Sequence, residues 1–185
     1  NGKNINFGIG DPNSTSGFLV PTYYIFAQRK IEARETFKTV RNASHGANIQ
    51  AVLAKQVDVA TNNTEDYGRL EATKPELASQ IRVIWKSPLI PSDPFVWRKD
   101  LDQQTKDKIR KFVLEYAKNN PAEKEVLKNI YNYAGFRAST DAQLNPIRQL
   151  ELFKDRQKVE ADASLTNADK KKKLADIDAA LAKVK

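Results

Sequence analysis

Cysteine is absent from the 185 residues, and histidine occurs once. The missing cysteines exclude disulfides and thiol catalysis, and they are compatible with either the cytosol or an oxidising compartment. With a single imidazole besides, little is left to hold a structural zinc ion. No uninterrupted apolar run approaches transmembrane length, and no basic, apolar, small-residue leader opens the chain, although a mature or trimmed chain would also lack one. Neither a Gly-rich Lys-Ser/Thr nucleotide loop nor a dinucleotide fingerprint occurs. What is present is 40% hydrophobic and 29% charged residues, the balance of a globular protein of one domain, or one domain with an appendage. The formal charge of +8 is spread among acids along most of the chain, and only Lys170 to Lys173 forms a dense run, itself preceded by Asp169. Without a basic patch interleaved with aromatics, that charge speaks for anionic small molecules or solubility and against nucleic acid. The chain begins straight in a strand-like segment, which suits a domain cut from something longer.

The stretch the rest is arranged around is Gly10-Asp11-Pro12-Asn13-Ser14-Thr15-Ser16-Gly17. An apolar segment, Ile5 to Ile9, runs into this turn, which delivers three consecutive hydroxyls to the start of a helix. A helix start leaves backbone N–H groups without intrahelical acceptors, and its dipole favours a negative guest. Hydroxyls beside those amides add donors for the same oxygens. The alternative is a plain helix cap by Ser14 or Thr15.

Along the chain, Ile5 to Ile9, Thr39 to Arg41 and Val57 to Thr61 read as strands. A helix is expected from Ser16 or Gly17 to about Lys30, with Pro21 tolerable only in its first turn. Another runs from His45 to Lys55, capped by Ser44 or Asn42, and a third opens at Thr64-Glu65-Asp66 and ends near Pro75. Ile81 to Leu89 is rich in β-formers, and Pro88, Pro91 and Pro94 force an extended approach to Phe95-Val96-Trp97. After Asp100 the chain turns helical: Leu101 to Asn119, Ala122 to Tyr133, and Gln143 to about Ala161. The tail from Thr166 places Leu174, Ile177 and Leu181 on one side and should dock on another element or fray.

Strands alternating with helices predict an α/β sheet, in which ligands collect beyond the carboxyl ends of the strands. That rule selects the turns at Ser14, His45 and Glu65. His45, opening a helix, can donate to an anion or simply cap and face solvent. Glu65 and Asp66 are ordinary first-turn acids, or one of them holds an ammonium group. Asp93, set among three prolines, is a rigidly held carboxylate or a turn residue. Tyr23, Tyr24, Trp85 and Trp97 could wall a ligand, but aromatic residues near strands are more often core. Ser14, His45 and Asp93 do not make a nucleophilic triad, since no Gly-x-Ser-x-Gly elbow surrounds the serine. The pattern favours binding over chemistry, with no catalytic residue, metal or cofactor.

The blocks GDPNSTSGFLVP (Gly10 to Pro21), SHGANIQAVLAKQVDVATNNTE (Ser44 to Glu65), VIWKSPLIPSDPFVWR (Val83 to Arg98) and DAQLNPIRQLELF (Asp141 to Phe153) together resemble the phosphonate-binding component of bacterial ABC transporters. The resemblance implies a periplasmic-binding-protein type II fold: a clamshell of two α/β lobes joined by crossing strands. This chain would supply the second lobe (1–90), the return strand and helices belonging to the first lobe (91–153), and a C-terminal helical tail (154–185).

By the same resemblance Ser14, Thr15 and Ser16, nearby amides and His45 would hold the phosphonate oxygens. Glu65 and Asp93 would hold the amino group of a ligand such as 2-aminoethylphosphonate. The partners implied are a small phosphonate and a membrane permease, in the periplasm; a homodimer through the C-terminal helices is a separate expectation. Relative to the family, a first-lobe segment of well over a hundred residues before the GDPNSTSG block is missing. The alternatives are a phosphate or phosphite binder and a non-catalytic dimerisation fragment. A phosphonate hydrolase ranks last, because an activated nucleophile and metal ligands are both lacking.

Overall fold

A computed structural model describes residues 2–184. Three strands, β1 (Asn6–Ile9), β2 (Thr39–Asn42) and β3 (Val59–Ala60), form an all-parallel sheet in the order β2-β1-β3. The helices in chain order are α1 (Ala33–Thr36), α2 (His45–Leu53), α3 (Thr64–Thr73), α4 (Pro75–Ala78), α5 (Gln103–Glu115), α6 (Pro121–Asn129), α7 (Asn145–Ala161) and α8 (Asn167–Lys183). Between β1 and α1 lies an irregular helical run of two π-type segments, Thr15–Leu19 and Thr22–Phe26, and a 3-10 turn, Ala27–Arg29. The chain divides into two compact units, one made of 1–90 and 144–185 and the other of 91–143.

The sheet of the first unit explains its sequence by pleat. In β1, Phe7 and Ile9 point to one face, where they bury against Phe26 with Phe18, Ile25 and Phe37 around them. The rings of Phe7 and Phe37 sit 4.5 Å apart, and Phe26 meets Phe7 edge-on at 5.8 Å. Burying each such side chain is worth about 1.5–3 kcal/mol, which makes this cluster the anchor of the central strand. Gly8, between them, points to the opposite face, where a Cβ would come within 2.6 Å of Asn48 Oδ1 on α2. Helices thus lie on both faces of the sheet, and central β1 reads as a short, nearly unbroken apolar run.

Three further observations correct the expectations drawn from sequence. Pro21 does not sit in a first helical turn. It lies well inside the run, where its ring and missing N–H are accommodated by π-type turns on either side. The segment around Ile81 to Leu89 forms no strand among the described residues: β-formers alone do not make a strand without a partner edge, and Val83 and Ile84 stay exposed. The strand expected over Val57 to Thr61 shrinks to two residues, with Val57 buried beside it.

Most boundaries otherwise fall within a few residues. Ser44 is the cap of α2, accepting from the Ala47 amide at 3.3 Å. The tail does dock: α8 lies along α7, tied by the Arg156–Asp178 ion pair and by Gln149 Nε2 donating to the Val184 carbonyl at 2.6 Å. Together with the π-type run, α7 closes a second cluster in which Leu19, Val20 and Leu150 are buried and Tyr23, Tyr24 and Ile147 are partly so. Tyr23 packs edge-on against Phe153 at 4.8 Å, and Tyr24 lies 6.5 Å from Trp85. Tyr23 and Tyr24 belong to that cluster, while Trp85 is exposed.

In the second unit Asp102 caps α5 and Asn120 caps α6, each through its side-chain oxygen. Leu127 and Ala117 are its buried apolar residues. Phe95 stacks edge-on to Phe136 at 5.3 Å yet remains largely exposed.

Candidate functional site

Because the three strands are parallel and adjacent, their carboxyl ends open at one edge, and each is followed by the start of a helical element. The chain leaving β1 makes the Gly10 to Gly17 turn, closed at its base by the Gly10 N–H donating to the Gly17 carbonyl at 2.8 Å. Only glycine permits this approach. A Cβ on Gly10 would lie 2.5 Å from the Gly17 backbone, and one on Gly17 would lie 2.7 Å from the His45 ring and 2.9 Å from Ser14 Oγ.

Ser14 occupies the cap position, its Oγ accepting from the Gly17 amide at 3.0 Å while its own O–H stays available. The first-turn amides of Thr15 and Ser16 have no intrahelical acceptor. Ser16 Oγ lies 2.9 Å from His45 Nε2, a hydrogen bond whose donor follows from the imidazole tautomer. His45 is the first residue of α2, carried there by β2 and the Ser44 cap. All four of Ser14, Thr15, Ser16 and His45 are partly buried. Donor groups from the first two strand ends therefore meet in contact, at the mouths of two helical elements.

The third strand end adds Asn62 and Asn63. Asn62 Nδ2 donates to the His45 carbonyl at 2.9 Å and its Oδ1 accepts from the Asn63 amide at 2.9 Å. Asn63 caps α3, accepting from the Asp66 amide at 2.7 Å. Glu65, in the first turn of α3, is exposed, and Thr64 Oγ1 donates to its carboxylate at 3.2 Å. Asp66 pairs instead with Arg69 on the same helix. Asp93 lies in the second unit and is exposed there.

Sequence reasoning missed three residues. Asn42 Nδ2, at the end of β2, donates to the Gly10 carbonyl at 2.7 Å. Thr61 Oγ1, just beyond β3, donates to the Gly17 carbonyl at 2.7 Å. Asn62 ties the start of α2 to that of α3. The available signal was position: each is a small polar residue at or just past the carboxyl end of a parallel strand, where side chains reach neighbouring turns. Fully buried Asn48 donates to the Thr61 carbonyl at 3.3 Å, while its Oδ1 makes no hydrogen bond among the described residues. No group of three or more potential metal-ligating side chains comes together among the described residues.

The arrangement offers hydroxyl, amide and imidazole groups, with the Asp11 carboxylate of the same turn accepting from the Asn13 amide at 2.8 Å, and the donors together have the chemistry of an oxyanion receptor. Residues 2–144 match the family described as the ABC transporter phosphonate periplasmic substrate-binding protein. The chain belongs to that family. It is 54% identical over 179 residues to the phosphonates-binding periplasmic protein of Escherichia coli (strain K12), a match covering 97% of this chain and 52% of that relative. It also resembles the crystal structure of a binding protein component of an ABC phosphonate transporter from Pseudomonas aeruginosa. There the TM-score is 0.86 at 52% identity, covering all of this chain and 60% of that one. The chain thus spans about half the length of the curated relative it matches. The small parallel sheet flanked by helices, with its C-terminal helical region, accords with the type II periplasmic-binding fold. Family members are non-catalytic solute-binding proteins of the periplasm.

Proposed function

We propose that this chain carries the anion-gripping part of a periplasmic receptor that delivers phosphonates to an ABC-type membrane permease, without catalysis. The observation that carries the reading is the contact between Ser16 Oγ and His45 Nε2 at 2.9 Å, made where two helical elements begin. In this proposal Ser14, Thr15, Ser16, the first-turn amides and His45 bind the phosphonate oxygens. Charge-assisted hydrogen bonds of that kind are worth about 1.5–3 kcal/mol each. Glu65 takes the ammonium end of a ligand such as 2-aminoethylphosphonate, and Asp93 is given the same role on the resemblance of its own segment.

The proposal also keeps the lobe assignment: 1–90 as the binding lobe, 91–153 as the part returning to a first lobe, and 154–185 as a helical tail. The C-terminal helices are the proposed homodimer surface, and a first-lobe segment is a further proposed partner. The substrate is tested at Glu65. Calorimetry on the protein at its natural length should show Glu65→Gln weakening 2-aminoethylphosphonate roughly ten-fold or more, with methylphosphonate nearly unaffected. Equal losses for both ligands would remove the carboxylate–ammonium contact and favour a phosphate or phosphite receptor.

A further inference from the structure

The Gly17 carbonyl accepts two hydrogen bonds from outside its own helical run, from the Gly10 amide at 2.8 Å and from Thr61 Oγ1 at 2.7 Å. In a regular α-helix its partner would be the N–H of the residue four positions on. That residue is Pro21, which has no N–H and whose ring crowds the carbonyl four residues back. The π-type turns around Pro21 are the local response, and a strong acceptor is left facing the base of the hydroxyl turn. Thr61 is 8% exposed, so its hydroxyl has little water to turn to.

We infer that Thr61 is a positioning residue: through the Gly17 carbonyl, whose regular α-helical donor position is taken by Pro21, its hydroxyl clamps the Gly10–Gly17 turn and so sets where Ser14, Thr15 and Ser16 stand. Asn42 grips the other end of the same turn, at the Gly10 carbonyl. The turn is thereby held from both neighbouring strand ends, β2 through Asn42 and β3 through Thr61. The role is indirect, since Thr61 spends its donor on backbone. What it controls is the aim of the three hydroxyls and, through the Gly17–His45 approach, the position of the imidazole.

The effect on ligand affinity rests on the phosphonate reading, whereas the effect on the turn does not, so the test reads both. Amide hydrogen exchange of Gly10 and of residues 14–19 is measured without ligand, and methylphosphonate affinity is measured by calorimetry, on the protein at its natural length. Thr61→Val keeps the shape of the side chain and removes the donor; Thr61→Ser keeps the donor. The valine variant should speed exchange of the Gly10 amide about ten-fold and weaken methylphosphonate roughly ten-fold, and serine should restore both. Pro21→Ala supplies the missing N–H, drawing the Gly17 carbonyl back into the helix, and should speed Gly10 exchange even if the valine variant does not fold. Unchanged exchange in the folded variants, or equal losses in Thr61→Val and Thr61→Ser, would overturn the inference. If the unsubstituted protein binds no methylphosphonate, the phosphonate reading fails, and the exchange data alone decide the clamp.

Discussion

At the scale of single residues the site depends on how close two glycines come. Gly10→Ala would place a methyl group 2.5 Å from the Gly17 backbone, which cannot yield as a side-chain tip could. Relieving that contact must open the turn and lengthen the Gly10–Gly17 hydrogen bond, at a cost of about 1–3 kcal/mol. Urea unfolding should register the loss, whereas Gly46→Ala, with open space around it, should change stability little. Ser14→Ala gives a smaller effect: it removes the cap on the Gly17 amide, worth about 1 kcal/mol, and a thermal melt should show it without any change of fold. The three hydroxyls and His45 were legible because each stands in a local pattern, a strand followed by a turn and a helix start. Thr61, Asn42 and Asn62 were not, since their partners are backbone atoms 44, 32 and 17 residues away in sequence. No spacing rule encodes such pairings; they follow only once parallel strands bring their ends together.

Among elements, the best-forecast ones carry both a periodic face and a cap. In α5 the cap is Asp102, whose carboxylate accepts from the Thr105 amide at 2.8 Å. That amide holds the Asp102 carboxyl below its ordinary range, aided by the Thr105 side chain. A depressed folded-state value means that the capped form gains stability above the unfolded value and loses it as pH falls through the folded one. The start of α5 should therefore fray in acid, and Asp102→Asn, which caps without titrating, should flatten that dependence. Amide chemical shifts of Gln103 to Thr105 followed through the acid range would check it; identical profiles for the two proteins would show that the cap does not titrate. The segment around Ile81 to Leu89 shows the opposite case. Its β-formers predicted a strand, but pairing needs a neighbouring edge, and none is offered to it among the described residues. The helical run after Ser14 was expected, while its π-type irregularity was not. Pro21 signals a disturbance, and only the tertiary demand on the Gly17 carbonyl gives that disturbance its form.

For the molecule as a whole, the two units differ in how many large apolar side chains they bury, although Ile84 and Leu89 of the first are exposed as well. In the first, the large side chains of Phe7, Ile9, Phe26, Leu19 and Val20 are buried in clusters built from several elements. The second keeps Phe95 75%, Val96 83% and Phe112 65% exposed, with only Ala117 and Leu127 buried among its apolar residues. A unit so built gains little from apolar burial within itself, and contiguous exposed apolar surface favours association. The 185-residue chain on its own should therefore scatter light as species that grow with concentration. Electrostatic repulsion from its net charge of +8 should oppose this at low ionic strength, so added salt should promote association. Replacing Phe95 and Val96 together by serine should reduce it, because each exposes more than its neighbour Trp97 at 43% and neither is in a described hydrophobic cluster. The same substitution leaves the Ser16–His45 contact in the other unit untouched, so anion binding should survive it. A chain that remains monomeric at every concentration and salt level would place the apolar surface of the second unit in contact with itself, and the serine variant would then lose stability instead of stickiness.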